Sequence, residues 1–188
     1  YPPVMGSISA SVYNNGSPFS NIYVKNYNGV KLSFSATAQQ NAGIVSYKIT
    51  GGGVNTTVTS NTYTIPKLIS SGSITYTVTA DTRGATCSGS VKITVNTYSP
   101  PSINNVTTVR CDQNGTPADD GKYIKADVSA TYSNIGNNQS GSIIVKIQYA
   151  SNGGSYNSGN NLTVSKSSGT AMATGIIGGS LSDGSYNV

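Results

Sequence analysis

Three of the six acids in this chain, Asp112, Asp119 and Asp120, stand within nine residues, with Asn114 between them. Side chains of this kind are hard oxygen donors, and Asp112-x-Asn114-Gly115 loosely matches the start of a calcium-binding loop. Asp112, Asn114, Asp119 and Asp120 are therefore the candidate ligands for a divalent cation. The bidentate Glu that closes such a loop is absent, because the chain contains no Glu. The competing and favoured expectation is a connecting loop: Asp and Asn accept hydrogen bonds from their own backbone, Gly115 takes positive φ, and no metal or other cofactor is bound.

Other chemistry is excluded by what is missing. With no His there is no imidazole general base, no Ser-His-Asp triad and no His-liganded zinc, and a glycosidase pair would have to be built from Asp alone. No catalytic residue is nominated, and the expectation is a protein that is not an enzyme. Among thirteen Tyr and two Phe, Tyr13, Tyr23, Tyr27, Tyr98 and Tyr156 fall outside the clear strand patterns. Their rings are the candidates for stacking on sugars or for protein contact, although Trp, the best stacking ring, is absent. Lys31, Asn96 and Asp81 are the one set that could form a Lys–Asn isopeptide crosslink, and Lys31 on the polar face of its strand argues against it. Cys87 and Cys111 would bridge only if their Cα atoms came within about 7 Å; free thiols are the simpler expectation.

The nine Lys and two Arg give a net charge of +5 but are scattered singly, so the basic face that nucleic-acid binding requires is not expected. Apolar runs such as Ile143-Ile144-Val145 are far too short for a membrane helix. Asn-x-Ser/Thr triplets at Asn15, Asn55, Asn105, Asn138 and Asn161 are what so much Asn, Ser and Thr produces by chance.

The elements that must position these residues are strands. Apolar residues alternate at Val30, Leu32, Phe34, Ala36 and Ala38; at Ile74, Tyr76, Val78 and Ala80; and at Ile124, Ala126, Val128 and Ala130. Shorter alternations are Val45, Tyr47, Ile49; Tyr63, Ile65; Val91, Ile93, Val95; and Val145, Ile147, Tyr149. Turn pairs separate them at Asn15-Gly16, Asn28-Gly29, Gly51-Gly52-Gly53, Arg83-Gly84, Asn114-Gly115, Asp120-Gly121, Gly153-Gly154 and Asp183-Gly184. Short strands between frequent turns predict an all-β sandwich or barrel.

Residues 30–38 align with 124–132 through Lys31/Lys125, Ser35/Ser129, Ala36/Ala130 and Thr37/Thr131, and 76–78 align with 186–188. The pattern predicts two tandem immunoglobulin-like sandwiches, residues 1–98 and 99–188, divided at Tyr98-Ser99-Pro100-Pro101. The second has no counterpart of Val91-Lys92-Ile93-Thr94-Val95. Its last strand is therefore expected to be missing, which predicts either an edge strand donated by a neighbouring chain or a poorly ordered C-terminus. The start at Tyr1-Pro2-Pro3 without Met and the stop at Val188 together read as a section of a longer protein.

The run Arg110-Cys111-Asp112-Gln113-Asn114-Gly115-Thr116-Pro117-Ala118-Asp119-Asp120-Gly121-Lys122-Tyr123 resembles the Arg-Cys-Asp/Asn-x-x-Gly-Thr-x-x-Asp-Asp/Glu-Gly-x-Tyr signature of a known group: minor structural (tail or baseplate) proteins of tailed phages infecting Gram-positive bacteria. Ser35-Ala36-Thr37-Ala38, Ser46-Tyr47-Lys48-Ile49 and Val78-Thr79-Ala80-Asp81-Thr82-Arg83-Gly84 are similar to shorter blocks of the same family. The resemblance implies an elongated virion component of serial immunoglobulin-like modules, located in the extracellular tail and devoid of catalytic residues. Its implied partners are other tail proteins or copies of itself, with a host cell-wall glycan or surface receptor as ligand. The alternatives are a bacterial cell-surface adhesin and an accessory saccharide-binding module of a secreted glycan-active enzyme.

Overall fold

The computed structural model describes residues 1–135, 143–179, 181 and 186–187. The Asp183-Gly184 turn, the Asn138 triplet and Val188 lie outside the described residues. Among those described, the regular elements are strands alone, and no helix is long and apolar enough to cross a membrane. The chain divides into two compact units, Tyr1–Tyr98 and Ser99–Val188.

The first unit holds β1 (Val4–Tyr13), β2 (Tyr23–Val24), β3 (Gly29–Thr37), β4 (Ser46–Gly51), β5 (Val54–Val58), β6 (Thr62–Ile65), β7 (Gly72–Asp81) and β8 (Thr86–Asn96). They form a three-stranded sheet, β1-β3-β6, and a five-stranded sheet, β2-β8-β7-β4-β5. A period of two places every second side chain of a strand on one face. Val30, Leu32 and Phe34 of β3 accordingly meet Tyr47 and Ile49 of β4, Ile74, Tyr76, Val78 and Ala80 of β7, and Ile93 and Val95 of β8 in one buried cluster. Two sheets sharing one core make a β-sandwich. The β4–β5 hairpin turns at Gly52 and Gly53, whose φ values of 56° and 83° suit the doubly left-handed two-residue turn that matches strand twist.

Asn28-Gly29 is not the turn its sequence suggests. The chain turns just before it, at Lys25–Tyr27, where Asn26 takes a φ of 68°. Asn28 is fully buried; its Oδ1 accepts from the Val24 amide at 3.2 Å and its Nδ2 donates to the Phe19 carbonyl at 2.7 Å. Gly29 is required for close approach instead, because a Cβ there would stand 2.1 Å from the Ile65 carbonyl oxygen. At Arg83-Gly84 the positive φ, 67°, belongs to Arg83 rather than to the glycine.

The second unit holds β9 (Ser102–Cys111), β10 (Tyr123–Thr131), β11 (Lys146–Ile147), β12 (Ala150–Ser151), β13 (Asn160–Asn161), β14 (Thr163–Ser167), β15 (Thr170–Gly178) and β16 (Tyr186–Asn187). Its main sheet runs β14-β15-β10-β9, with the pairs β11-β13 and β12-β16 beside it. Ile124, Ala126 and Val128 of β10 and Ala173 and Ile177 of β15 pack with Ile147, Leu162 and Leu181. Among the described residues this core gathers fewer buried side chains than that of the first unit, Ala126 and Ala173 among them.

The two units repeat in register as well as in sequence. Met5 faces Ala36 and Ile8 faces Phe34, with a bulge between them; Ile103 faces Ala130 and Val106 faces Val128, again with one extra residue on the outer strand. Because 36 aligns with 130 and 34 with 128, Ile103 is the counterpart of Met5 and Val106 of Ile8. The repeat breaks at β8. Among the described residues, β16 pairs with β12 alone, whereas β7 pairs with both β4 and β8.

Candidate functional site

The loop between β9 and β10 is held by the residues of its own signature. Asp112 Oδ1 accepts from the amides of Asn114 at 2.8 Å and Thr116 at 2.9 Å. The Asp112 amide donates back to the Thr116 carbonyl at 2.9 Å, and Gly115, at φ 84°, closes the turn. The Thr116 and Asn114 amides hold the Asp112 carboxyl below its usual range. Arg110 Nε donates to the Gly121 carbonyl, and Gly121 lies so close that a Cβ would stand 2.1 Å from the Cys111 carbonyl oxygen. Cys111 is fully buried and bridges to Pro117; burial pushes its thiol up, which disfavours the reactive thiolate. Arg110, Cys111, Asp112, Gly115, Thr116 and Gly121 thus all act in folding this turn.

A shallow groove of about 320 Å³ gathers Asp112, Asn114 and Asp120 with Lys122; Asp119 does not line it. Among the described residues no three His, Cys, Asp or Glu side chains are grouped to hold a metal. Asp112 is already an acceptor for two amides, and the Lys122 ammonium shares the groove with Asp112 and Asp120.

The nominated tyrosines do not converge. Tyr23 packs against the core of the first unit, and burial pushes its phenol up. Tyr27 and Tyr98 form an edge-on trio with Phe19, at centroid distances of 5.2, 5.0 and 5.6 Å, so these rings stack on each other. Tyr13 ends β1 and is exposed. Tyr156 is exposed in the second unit, on the wall of a separate cleft.

That cleft is the feature sequence reasoning missed. About 350 Å³ in volume, it is lined by Ile103, Val106, Val128, Val145, Ile147 and Tyr156, with polar rim contributions from Lys146 and Gln148. Ile103 is 64% exposed and Val106 45%. The available signal was the aligned repeat, which puts these two residues where Met5 and Ile8 lie packed against a core.

Of the crosslink candidates, Lys31 is exposed on β3, Asn96 Nδ2 donates to the Tyr23 carbonyl at 3.2 Å, and Asp81 accepts from the Arg83 amide at 2.9 Å. Each polar group is committed elsewhere or faces solvent. Cys87, half-buried in β8, and Cys111 are both free thiols. Comparison of the chain with family models and with curated proteins finds no match.

Proposed function

We propose that the chain is a non-enzymatic section of a phage tail tip or tail fibre. In this reading its two sandwiches serve as spacer and display modules, and they contribute to attachment at a Gram-positive cell surface through a wall glycan or surface receptor. The observation that carries this is the loop Arg110–Tyr123. The residues that resemble the phage signature are those that build the turn in this chain, which supports reading them as a motif and not as composition alone. Tandem units with the same bulge at the same register favour serial assembly. We read both as immunoglobulin-like, supported in the first by β2 pairing parallel to β8 beside an otherwise antiparallel β8-β7-β4-β5 sheet that faces β1-β3-β6. A chain without His or Glu suits holding and spanning better than catalysis.

The test is immunogold labelling with antibodies raised against this chain, on virions and on uninfected host cells, with an adsorption assay in their presence. Label at the tail end and slowed adsorption support the proposal. Label on the walls of uninfected cells, with virions bare, would move the chain to the cell-surface adhesin class.

A further inference from the structure

We propose that Asn152 is a modification site, where the chain converts its own side-chain amide into a carboxylate through a succinimide closed by the Gly153 nitrogen. The proposal rests on the geometry of one turn and is independent of the virion reading.

Asn-Gly is the pair best suited to this chemistry, because glycine has no Cβ to obstruct the approach of its own main-chain nitrogen. The chain has four such pairs, at 15–16, 28–29, 114–115 and 152–153. They are alike in sequence, and the fold separates them. Ring closure needs an exposed Asn side chain that can rotate and a glycine N–H that is not already donated.

Asn28 fails the first requirement: it is fully buried, with Oδ1 accepting from the Val24 amide and Nδ2 donating to the Phe19 carbonyl. Asn114-Gly115 fails the second, since the Gly115 N–H donates to the Asp112 carbonyl at 3.1 Å. Asn15 is exposed, but the Gly16 N–H donates to the Asn14 carbonyl at 2.9 Å. Asn152 meets both. Asn152 and Gly153 are exposed at the tip of a turn whose closing bond is made by the next residue, from the Gly154 amide to the Ser151 carbonyl at 2.8 Å. Among the described residues no hydrogen bond engages the Gly153 N–H. Gly153, at φ 76°, occupies the third position of the turn, where a positive φ selects glycine. Below the tip, the Asn157 amide donates to the Tyr149 carbonyl at 3.0 Å and the Tyr149 amide to Asn157 Oδ1 at 3.1 Å, so the tip can distort while its base stays closed.

In the reaction the Gly153 nitrogen gives its proton to base in the solvent and attacks Asn152 Cγ. The N–Cγ bond forms, the Cγ–Nδ2 bond breaks, and the side-chain amide leaves as ammonia. Water then opens the succinimide at either carbonyl, giving Asp on the original backbone or isoaspartate on a main chain longer by a methylene. No oxidant or reductant takes part. Both products add a negative charge, and isoaspartate also pulls the Gly154 amide away from Ser151.

The test holds the full chain in mildly alkaline buffer, digests samples over time and follows each Asn-Gly peptide by mass, with isoaspartate identified by enzymatic methylation. Deamidation at Asn152 is expected to run severalfold to about tenfold ahead of Asn15 and Asn114, the factor that one committed hydrogen bond supplies. Asn28 stays intact for as long as the first unit is folded. In denaturant the four pairs converge, because the protection comes from the fold. Gly153→Ala, in a chain still folded by circular dichroism, slows the reaction by placing a Cβ beside the attacking nitrogen. Faster loss at Asn15 or Asn114 than at Asn152 in the folded chain overturns the proposal, as does an Asn152 peptide that keeps its mass. A ranking unchanged by denaturant, or a Gly153→Ala chain that reacts as fast as the parent, overturns it as well.

Discussion

β1 and β9 carry the same bulge at the same register, yet Met5 and Ile8 lie packed against a core while Ile103 and Val106 face solvent. The difference lies less in the strands than in what covers them. In the first unit β8 adds Ile93 and Val95 to the core and crosses β1 at Gly89; among the described residues the second unit has no such strand. Fully burying side chains such as Ile103 and Val106 contributes about 1.5–3 kcal/mol each, a good part of the margin of a small sandwich. β8 is thus a packing element as much as a hydrogen-bonding one.

The largest test of this contrast is thermal. Calorimetry should show two transitions, the lower belonging to the second unit. Leu32→Ala, at a fully buried site of the first unit, should cost about 2–5 kcal/mol and lower that unit's transition by roughly 10 °C or more, leaving the other in place. A common shift of both would show that the units do not melt independently. Next, Gly89→Val forces a side chain against Ile8 and Met5 and should cost about 1–3 kcal/mol in denaturant titration. Ile103→Ser, at the uncovered counterpart of Met5, should stay within about 0.5 kcal/mol. Equal costs would remove the distinction between covered and open faces.

Smaller effects follow at single polar groups. Among the described residues the Tyr76 hydroxyl is buried without a hydrogen-bond partner, so Tyr76→Phe should be neutral or stabilise the first unit by up to about 1 kcal/mol. Marked destabilisation would reveal a partner for the hydroxyl. The smallest effect is acid-dependent and confined to the second unit. The Asp112 carboxyl titrates lower when folded than unfolded, so its contribution is whole above about pH 4 and fades as pH falls through the folded value. Asp112→Asn should flatten the acid limb of that unit's melting temperature; an unchanged limb would assign acid sensitivity to another group.

Period-two patterns were legible wherever the inner face is made of large residues. Val30, Leu32 and Phe34 are buried as their alternation requires, and so are Ile74, Tyr76, Val78 and Ala80. β1 and β9 were not legible, because the bulge spaces Met5 from Ile8, and Ile103 from Val106, by three residues and breaks the alternation. β15 was hidden for another reason: two of its three buried positions are Ala171 and Ala173, too small to stand out beside Ile177, while Met172 on the outer face is exposed. The turn at Asn28-Gly29 was misread because an Asn-Gly pair carries the same signal when its buried side-chain amide bridges two backbone groups. At the loop, composition suggested oxygen ligands; only the coordinates show Asp112 spending its carboxylate on the Asn114 and Thr116 amides.

Sequence by itself determined the all-β class, the two repeated units and the exclusion of imidazole and Glu chemistry, because those follow from local period, turn chemistry and the presence of a side chain. Tertiary structure alone decided which apolar residues are covered. Coverage depends on a partner strand brought in from elsewhere, and nothing in the spacing of Ile103 and Val106 records whether that strand is there.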